Sequence, residues 1–395
     1  MGGLTETDIR KLISYRHELH AHPELSLEET WTSAFVKERL LELGVTVHDK
    51  IGGHGVVGVI KGRRPGPAVA LRADMDALQI DERSGPAYAS QFPGKMHACG
   101  HDGHVAILMG AGMLLARTRD FAGTVYLVFQ PAEERLGGAR MMIEDGLLDR
   151  FPFQRIFGLH NWPGLPVGEV MVHDGPVMAG TSEFDLSFSA EGAHAAMPHL
   201  TGDPLLAGGH FLTGLQQAVG RAIDPYEPAV ATVGSFQGGH AQNIIPQSAE
   251  LKGTLRAFRM ETLELLRDRT RSIAQSAASI ASCGFDLMFD DPPIPPVVNT
   301  PAERDLMRQA VKQAGLTASE GAKKPTMAGD DFGLFLQHRP GAYVWIGNGP
   351  VMPDGGLHQP AYDFNDAAVR PGAELLAKTA EIALAKDTNL NRSTN

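Results

Sequence analysis

Four runs rich in β-branched residues, Gly55 to Ile60, Ala68 to Leu71, Thr124 to Phe129 and Arg155 to Leu159, alternate with helical patterns, and this order constrains the fold most. One helix, beginning after Gly103, separates the second run from the third, and another, Gly138 to Leu148, separates the third from the fourth. Parallel strands need a crossover of about that length, so the pattern predicts an α/β fold: a mostly parallel, mixed sheet covered by helices. Helical spacing over about 5–43, broken at Pro23, precedes it. Helical stretches near 301–314 and 330–336, a strand at 342–346 and a helix over 366–385 return to the same pattern. In such sheets the carboxyl ends of the strands carry the active site. That rule places Asp74 and Asp76, Glu133 and Glu134, and His160 along one edge, with Gly355-Gly356-Leu357-His358 in the loop after the last strand.

The middle of the chain follows a different order. Ser182 to Ala190 alternates as a strand, 203–222 reads as a helix, 229–236 and 249–258 as strands, 261–281 as a helix and 285–289 as a strand. This β-α-β-β-α-β order predicts a ferredoxin-like α+β domain. It ends at the stiff run Asp291-Pro292-Pro293-Ile294-Pro295-Pro296, as domain boundaries do. The expected division is a discontinuous first domain, 1–180 and 297–395, with a second domain, 181–296, inserted in it.

A formal charge of −11 over 395 residues, with no basic run, argues against nucleic acid and anionic membranes as partners. Met1 to His20 holds no apolar secretory core and no stretch reaches membrane-span length. Only Cys99 and Cys283 are present, which excludes a disulfide framework and fits a reducing cytoplasm.

Met96-His97-Ala98-Cys99-Gly100-His101-Asp102-Gly103-His104 packs three histidines, a cysteine and an aspartate into a glycine-spaced loop ahead of the buried-helix run Val105 to Leu115. Together Cys99, His101, Glu134, His160 and His358 are thiolate, imidazole and carboxylate ligands of the kind borderline divalent metals choose. Five candidates exceed one closed tetrahedral site and suit two ions sharing a bridge, with positions left for water and substrate. Cys99 and His101, with one residue between them, point the same way in an extended loop. Each has a purely structural alternative: a buried core thiol, a capping histidine, an acidic pair at a helix start. Recurrence at strand-end loops of one sheet is what favours the metal. His17-Glu18-Leu19-His20-Ala21-His22 is set aside as a packed or solvated helix face, because a zinc-protease helix needs histidines at i and i+4 and position 21 is alanine.

The segments Arg72 to Leu78, Met96 to His104, Gln130 to Glu134, Gly158 to Pro163, Gly192 to His199, Asn243 to Pro246, Gly253 to Phe258, Leu357-His358 and Tyr362 to Asp366 occur in family order. In them the chain resembles the aminoacylase/hippurate-hydrolase family of amidohydrolases, relatives of indole-acetyl-amino-acid hydrolases and carboxypeptidase G-type metallopeptidases. The resemblance implies hydrolysis of N-acyl amino acids by two divalent ions, manganese or zinc, with cobalt or nickel as substitutes. It implies Cys99, His101, Glu134, His160 and His358 as ligands, with Cys99 bridging, and Glu133 as general base. It further implies that 1–180 and 297–395 form the catalytic domain and 181–296 a lid and dimerisation domain, with His194 as an oxyanion donor reaching across a homodimer or larger oligomer, Asn243 and Arg256 as receptors for the substrate carboxylate, and Asp74 as a residue orienting ligands. Gln79, Ala193 and Asp330 depart from the family's usual proline, glycine and glutamate, and none removes a ligand or the base. Two other readings make different predictions: a metal-free amidase with Cys99 as nucleophile, and a non-catalytic ligand-binding protein on the same scaffold.

Overall fold

The computed structural model describes residues 3–135, 137–319, 324–351, 353 and 355–393. Its chain divides into two compact units. The first comprises Met1–Val177, Val298–Lys324 and Leu334–Asn395, and the second Met178–Val297 with Pro325–Gly333. The sequence pattern leaves that last short segment in the first unit.

In the first unit the strands β1 (Thr46–Ile51), β2 (Gly55–Lys61), β3 (Arg64–Asp74), β4 (Ala122–Gln130), β5 (Arg155–Trp162) and β6 (Glu169–Met171) join strands Gly341–Gly347 and Thr317–Ala318 in one eight-stranded sheet. Its order is β1-β2-β4-β3-β5, then Gly341–Gly347, β6 and Thr317–Ala318. β4, β3, β5 and Gly341–Gly347 run parallel to one another, so their carboxyl ends share one edge. The remaining strands make the sheet mixed. β1, which pairs antiparallel with β2, carries too weak an apolar alternation to be read from sequence.

Helices α1 (Glu6–Ala21) and α2 (Thr30–Glu42) are separated at Pro23, as the proline predicts. Helix α3 (His101–Thr118) is buried at every position from His101 to Leu115, and a helix apolar all round belongs in a core. Its glycines allow that depth: a Cβ on Gly103 would lie 2.3 Å from the Phe364 ring. α3 packs on α1, on β3 and on the long helix Val369–Ser393. This fixes the start of α3 beneath the strand ends.

The second unit is a four-stranded antiparallel sheet in the order Ala229–Gly238, Ser248–Ala257, Gly180–Ser189, Gly284–Phe289. With helices Pro204–Gln217 and Met260–Ile280 this is the ferredoxin-like arrangement. Phe184, Leu186 and Phe188 alternate inward onto Phe211, Leu215, Leu263 and Leu266. The first of these helices passes into a π-helical turn at Ala218–Ala222, within what the sequence presents as one helix.

Candidate metal centre

β3 ends at Asp74, Glu133 and Glu134 follow β4, and His358 follows strand Gly341–Gly347. His160 lies within β5, two residues from its end, rather than in the loop beyond it. Cys99 and His101 converge through a left-handed Gly100 (φ +89°) that turns the loop into α3, and not through extended alternation. A Cβ at Gly100 would come within 2.5 Å of both Asn161 Nδ2 and Tyr362 Oη, so only glycine fits.

The ligand-type atoms meet. Cys99 Sγ lies 3.3 Å from His160 Nε2 and 3.3 Å from His358 Nε2. Glu134 Oε1 lies 3.4 Å from His358 Nε2 and 3.8 Å from His101 Nε2. Two triads, Cys99–His101–His160 and Cys99–Glu134–His358, each hold their donor atoms within 4.8 Å of one another, and Cys99 belongs to both. Glu133 Oε2 stands beside them, 3.9 Å from His101 Nε2.

The surrounding hydrogen bonds prepare these atoms for a cation. His160 Nδ1 lies 2.7 Å from the Asn161 carbonyl; an oxygen there can only accept, so the proton sits on Nδ1 and the Nε2 lone pair faces Cys99. His101 Nδ1 lies 3.3 Å from Asp76 Oδ1 as an ion pair, without hydrogen-bond geometry, and the opposite nitrogen, Nε2, is the one near Glu134 and Glu133. His101 Nε2 and Glu134 Oε1 are buried without a hydrogen-bond partner. Burial, then the charges of Glu134, Glu133 and Asp74, push the Cys99 thiol well above its ordinary value. Burial opposes protonation of His101, but Asp74, Asp76 and Glu134 outweigh it and raise its pKa to about 10. Burial and the neighbouring His104 hold His160 well below its usual value, so it is neutral. A buried excess of negative charge, a thiol that resists ionising and a neutral imidazole are what divalent ions would satisfy together. The donor set fits.

His104, in contrast, has no nitrogen to spare. Nδ1 donates to Asp74 Oδ1 at 2.6 Å, and Nε2 accepts the Asn161 backbone N–H at 3.0 Å. Asp74 is held by Arg72 Nη1 at 2.6 Å and orients His104, lying 3.9 Å from His101 Nε2. The residue against the His101 imidazole is Asp76, which the sequence places at this edge without giving it that task. Asn161 and Tyr362 are further contributors within the quoted motifs. Asn161 Nδ2 donates to the Cys99 carbonyl at 2.7 Å, and Tyr362 Oη donates to Asn161 Oδ1 at 2.6 Å. The histidines of α1 and its C-cap are otherwise engaged: His17 with Asp366, His20 with Asp102 and Glu82, His22 with the Glu18 carbonyl.

In the second unit His194 and Asn243 lie on neighbouring segments: His194 pairs with Ile244, and the Ala195 N–H donates to the Asn243 carbonyl at 3.0 Å. Both side chains are exposed. His194 Nδ1 accepts the Ala196 N–H at 3.0 Å, which leaves the proton of the neutral ring on Nε2. Arg256, on strand Ser248–Ala257, is partly buried and donates to the Met327 carbonyl at 2.9 Å.

Two groups of side chains that could hold metal ions, sharing Cys99, at the carboxyl edge of a mostly parallel sheet with the Glu133 carboxylate beside them, are the arrangement of a metal-dependent hydrolase. Residues 70–382 match the model of Peptidase family M20/M25/M40, and the chain belongs to that family. It is 38% identical over 373 residues to an N-acetyl-L-cysteine deacetylase of Bacillus subtilis, covering 94% of this chain and 88% of the relative. A hippurate hydrolase of Campylobacter jejuni is 36% identical over 367 residues, covering 92% and 94%. The crystal structure of Bacillus subtilis YXEP, described as a dinuclear metal-binding peptidase of the M20 family, superposes with a TM-score of 0.83 at 33% identity, covering 96% of this chain and 99% of that one. The protein is a metal-dependent amidohydrolase. Among the described residues no helix is long and apolar enough to cross a membrane.

Proposed function

We propose that this protein hydrolyses the amide bond of N-acyl amino acids, releasing a carboxylic acid and a free amino acid. The observation that carries the reading is Glu133, a buried carboxylate beside two ligand triads that share Cys99. Cys99, His101, Glu134, His160 and His358 would hold two divalent ions, manganese or zinc, which when bound supply Lewis acidity toward the amide carbonyl and an activated water. Glu133 takes the proton from the attacking water and delivers it to the leaving amine, so one carboxylate serves as base and then acid. His194, with its proton on Nε2, donates to the oxyanion, reaching the site from the partner in a homodimer built through the second unit. Asn243 and Arg256 receive the substrate carboxylate. The deacetylase and hippurate-hydrolase relatives support a small N-acyl amino acid as substrate.

The test is release of free amino acid from N-acetyl, N-benzoyl, N-lauroyl and indole-acetyl amino acids. EDTA-stripped protein should be inactive, and manganese or zinc should restore turnover. Activity that survives complete metal removal but is lost on thiol alkylation would instead mark Cys99 as a nucleophile. A fully metallated protein inert toward the whole panel would overturn the substrate class.

A further inference from the structure

The turn between α1 and α2 lies outside the ligand set, yet it touches both strand-end loops that build the site. Leu25 bridges Ala77, and the Ala77 N–H donates to the Glu24 carbonyl at 2.8 Å. The Glu24 carboxylate caps the start of α2 through the amides of Trp31 and Thr32, at 3.0 and 2.8 Å, which pins the turn to the helix. From this pinned turn two buried side chains reach inward. Ser26 Oγ donates to Asp76 Oδ2 at 2.6 Å, and the same carboxylate oxygen accepts the Glu134 N–H at 3.0 Å. Glu29 Oε1 accepts the Ala132 N–H at 2.7 Å.

Ala132 is the residue before Glu133, and its φ is +52°. An L-residue resists that conformation unless its surroundings impose it. The Glu29 bond holds the very amide whose orientation this φ sets, and the amide's direction decides where Glu133 and Glu134 project. Glu29 is 0% exposed and its second oxygen, Oε2, has no hydrogen-bond partner. Fold stability alone gives no reason for a half-satisfied carboxyl at that depth.

We propose that Glu29 is a positioning residue for the Glu133–Glu134 pair, acting through the amide of Ala132, and that Ser26 does the same for His101 through Asp76. The chemical content rests on the assignment of Glu133 as base; the geometric content does not. Glu29→Gln keeps an acceptor for the Ala132 amide, whereas Glu29→Met keeps the length and removes it. Purified metal-loaded protein is compared for kcat and KM on whichever N-acyl amino acid the wild type hydrolyses, for metal content, and for the visible spectrum of the cobalt-substituted form.

Glu29→Met should lose at least thirtyfold in kcat with KM within threefold, bind both ions, and show a shifted cobalt spectrum as Glu134 moves. Glu29→Gln should recover kcat to within about fivefold of wild type and recover the spectrum. Ser26→Ala, which leaves the Glu29–Ala132 bond intact but frees the Asp76 oxygen that also holds the Glu134 N–H, should lower kcat about threefold to tenfold; Glu29→Leu is read in the same way where Glu29→Met does not fold. A folded, metallated Glu29→Met with wild-type kcat and spectrum overturns the role of Glu29, as does a Gln variant that falls as far as Met. Unchanged kcat in Ser26→Ala overturns the Ser26 part. The cobalt spectra need no substrate, so failure of the substrate assignment and failure of the positioning role are read separately.

Discussion

At the scale of single residues, the site is a cysteine sulfur among histidine nitrogens and carboxylate oxygens, and what the other end of a histidine ring bonds fixes whether it can face the cluster. His160 and His104 sit 4.7 Å apart by ring centroid, yet only His160 offers a lone pair to the cluster. His104 spends both nitrogens on Asp74 and Asn161. Glu133→Gln keeps the shape of the acid and removes its basicity. It should bind both metals and lose about 10²- to 10⁴-fold in kcat, which metal analysis and steady-state kinetics check. Gly100→Ala would need a strained φ and push a methyl group against two buried polar atoms. A loss of about 2–4 kcal/mol in denaturant stability, with easier metal loss to chelators, is the expected outcome. The residue types of the five proposed ligands were legible in the sequence, whereas the proposed division of labour between Glu133 and Glu134 came only from the family resemblance. Asp76 and Asn161 were not assigned tasks, because an aspartate at a strand end or an asparagine after a histidine carries no local mark of the imidazole it contacts.

At the scale of elements, α1 and α3 are locked by ionic contacts as well as by packing. Asp102, in the first turn of α3, accepts from His20 Nδ1 at 2.8 Å and forms an ion pair with Arg16, whose Nε lies 2.9 Å away, and all three side chains are fully buried. The positive end of the helix dipole favours a carboxylate there. Burial opposes protonation of His20, but the Asp102 charge and its hydrogen bond, aided by Glu82, outweigh it and raise its pKa to about 9. Raised above the ordinary value of 6.5, His20 binds its proton more tightly folded than unfolded. Its contribution is therefore fully present below about pH 6.5 and is lost as pH rises through about 9, amounting to on the order of 3 kcal/mol. Urea melts of wild type and His20→Gln between pH 6 and 10 should show that alkaline decline in the wild type and a flatter dependence in the variant. A histidine counted from sequence as part of a helix face thus has a structural charge role. Only the fold brings position 20 beside position 102.

At the scale of the whole molecule, the two units follow different construction rules. The first is a mostly parallel sheet whose carboxyl edge gathers candidate ligands from a strand and several loops; the second is a four-stranded antiparallel sheet beside a separate short ladder, Ala193–His194 against Ile244–Ile245, and His194 and Asn243 are exposed there. If His194 serves a partner's site, mixing inactive His194→Ala and Glu133→Ala subunits should return activity in the hybrids. Up to about a quarter of wild-type turnover per dimer is expected from random pairing, since half of the dimers are hybrid and each holds one intact site. Hybrids isolated with two different affinity tags and lacking activity would count against that arrangement.

Sequence by itself determined the alternation of strands and helices, the interruption by a β-α-β-β-α-β insert, and the metal-ligand-type residues near strand ends. These follow from local periodicity and from the chemistry of side chains, which need no partner to be recognised. Only the tertiary structure decided that His101 begins a helix after a left-handed glycine, that Asp76 rather than Asp74 faces its imidazole, and that His104 is spent on Asp74 and Asn161. The physical reason is the same in each case. A histidine nitrogen, a carboxylate oxygen or a loop amide acquires its role from the group it hydrogen-bonds, and in this fold those groups lie tens to hundreds of residues away along the chain.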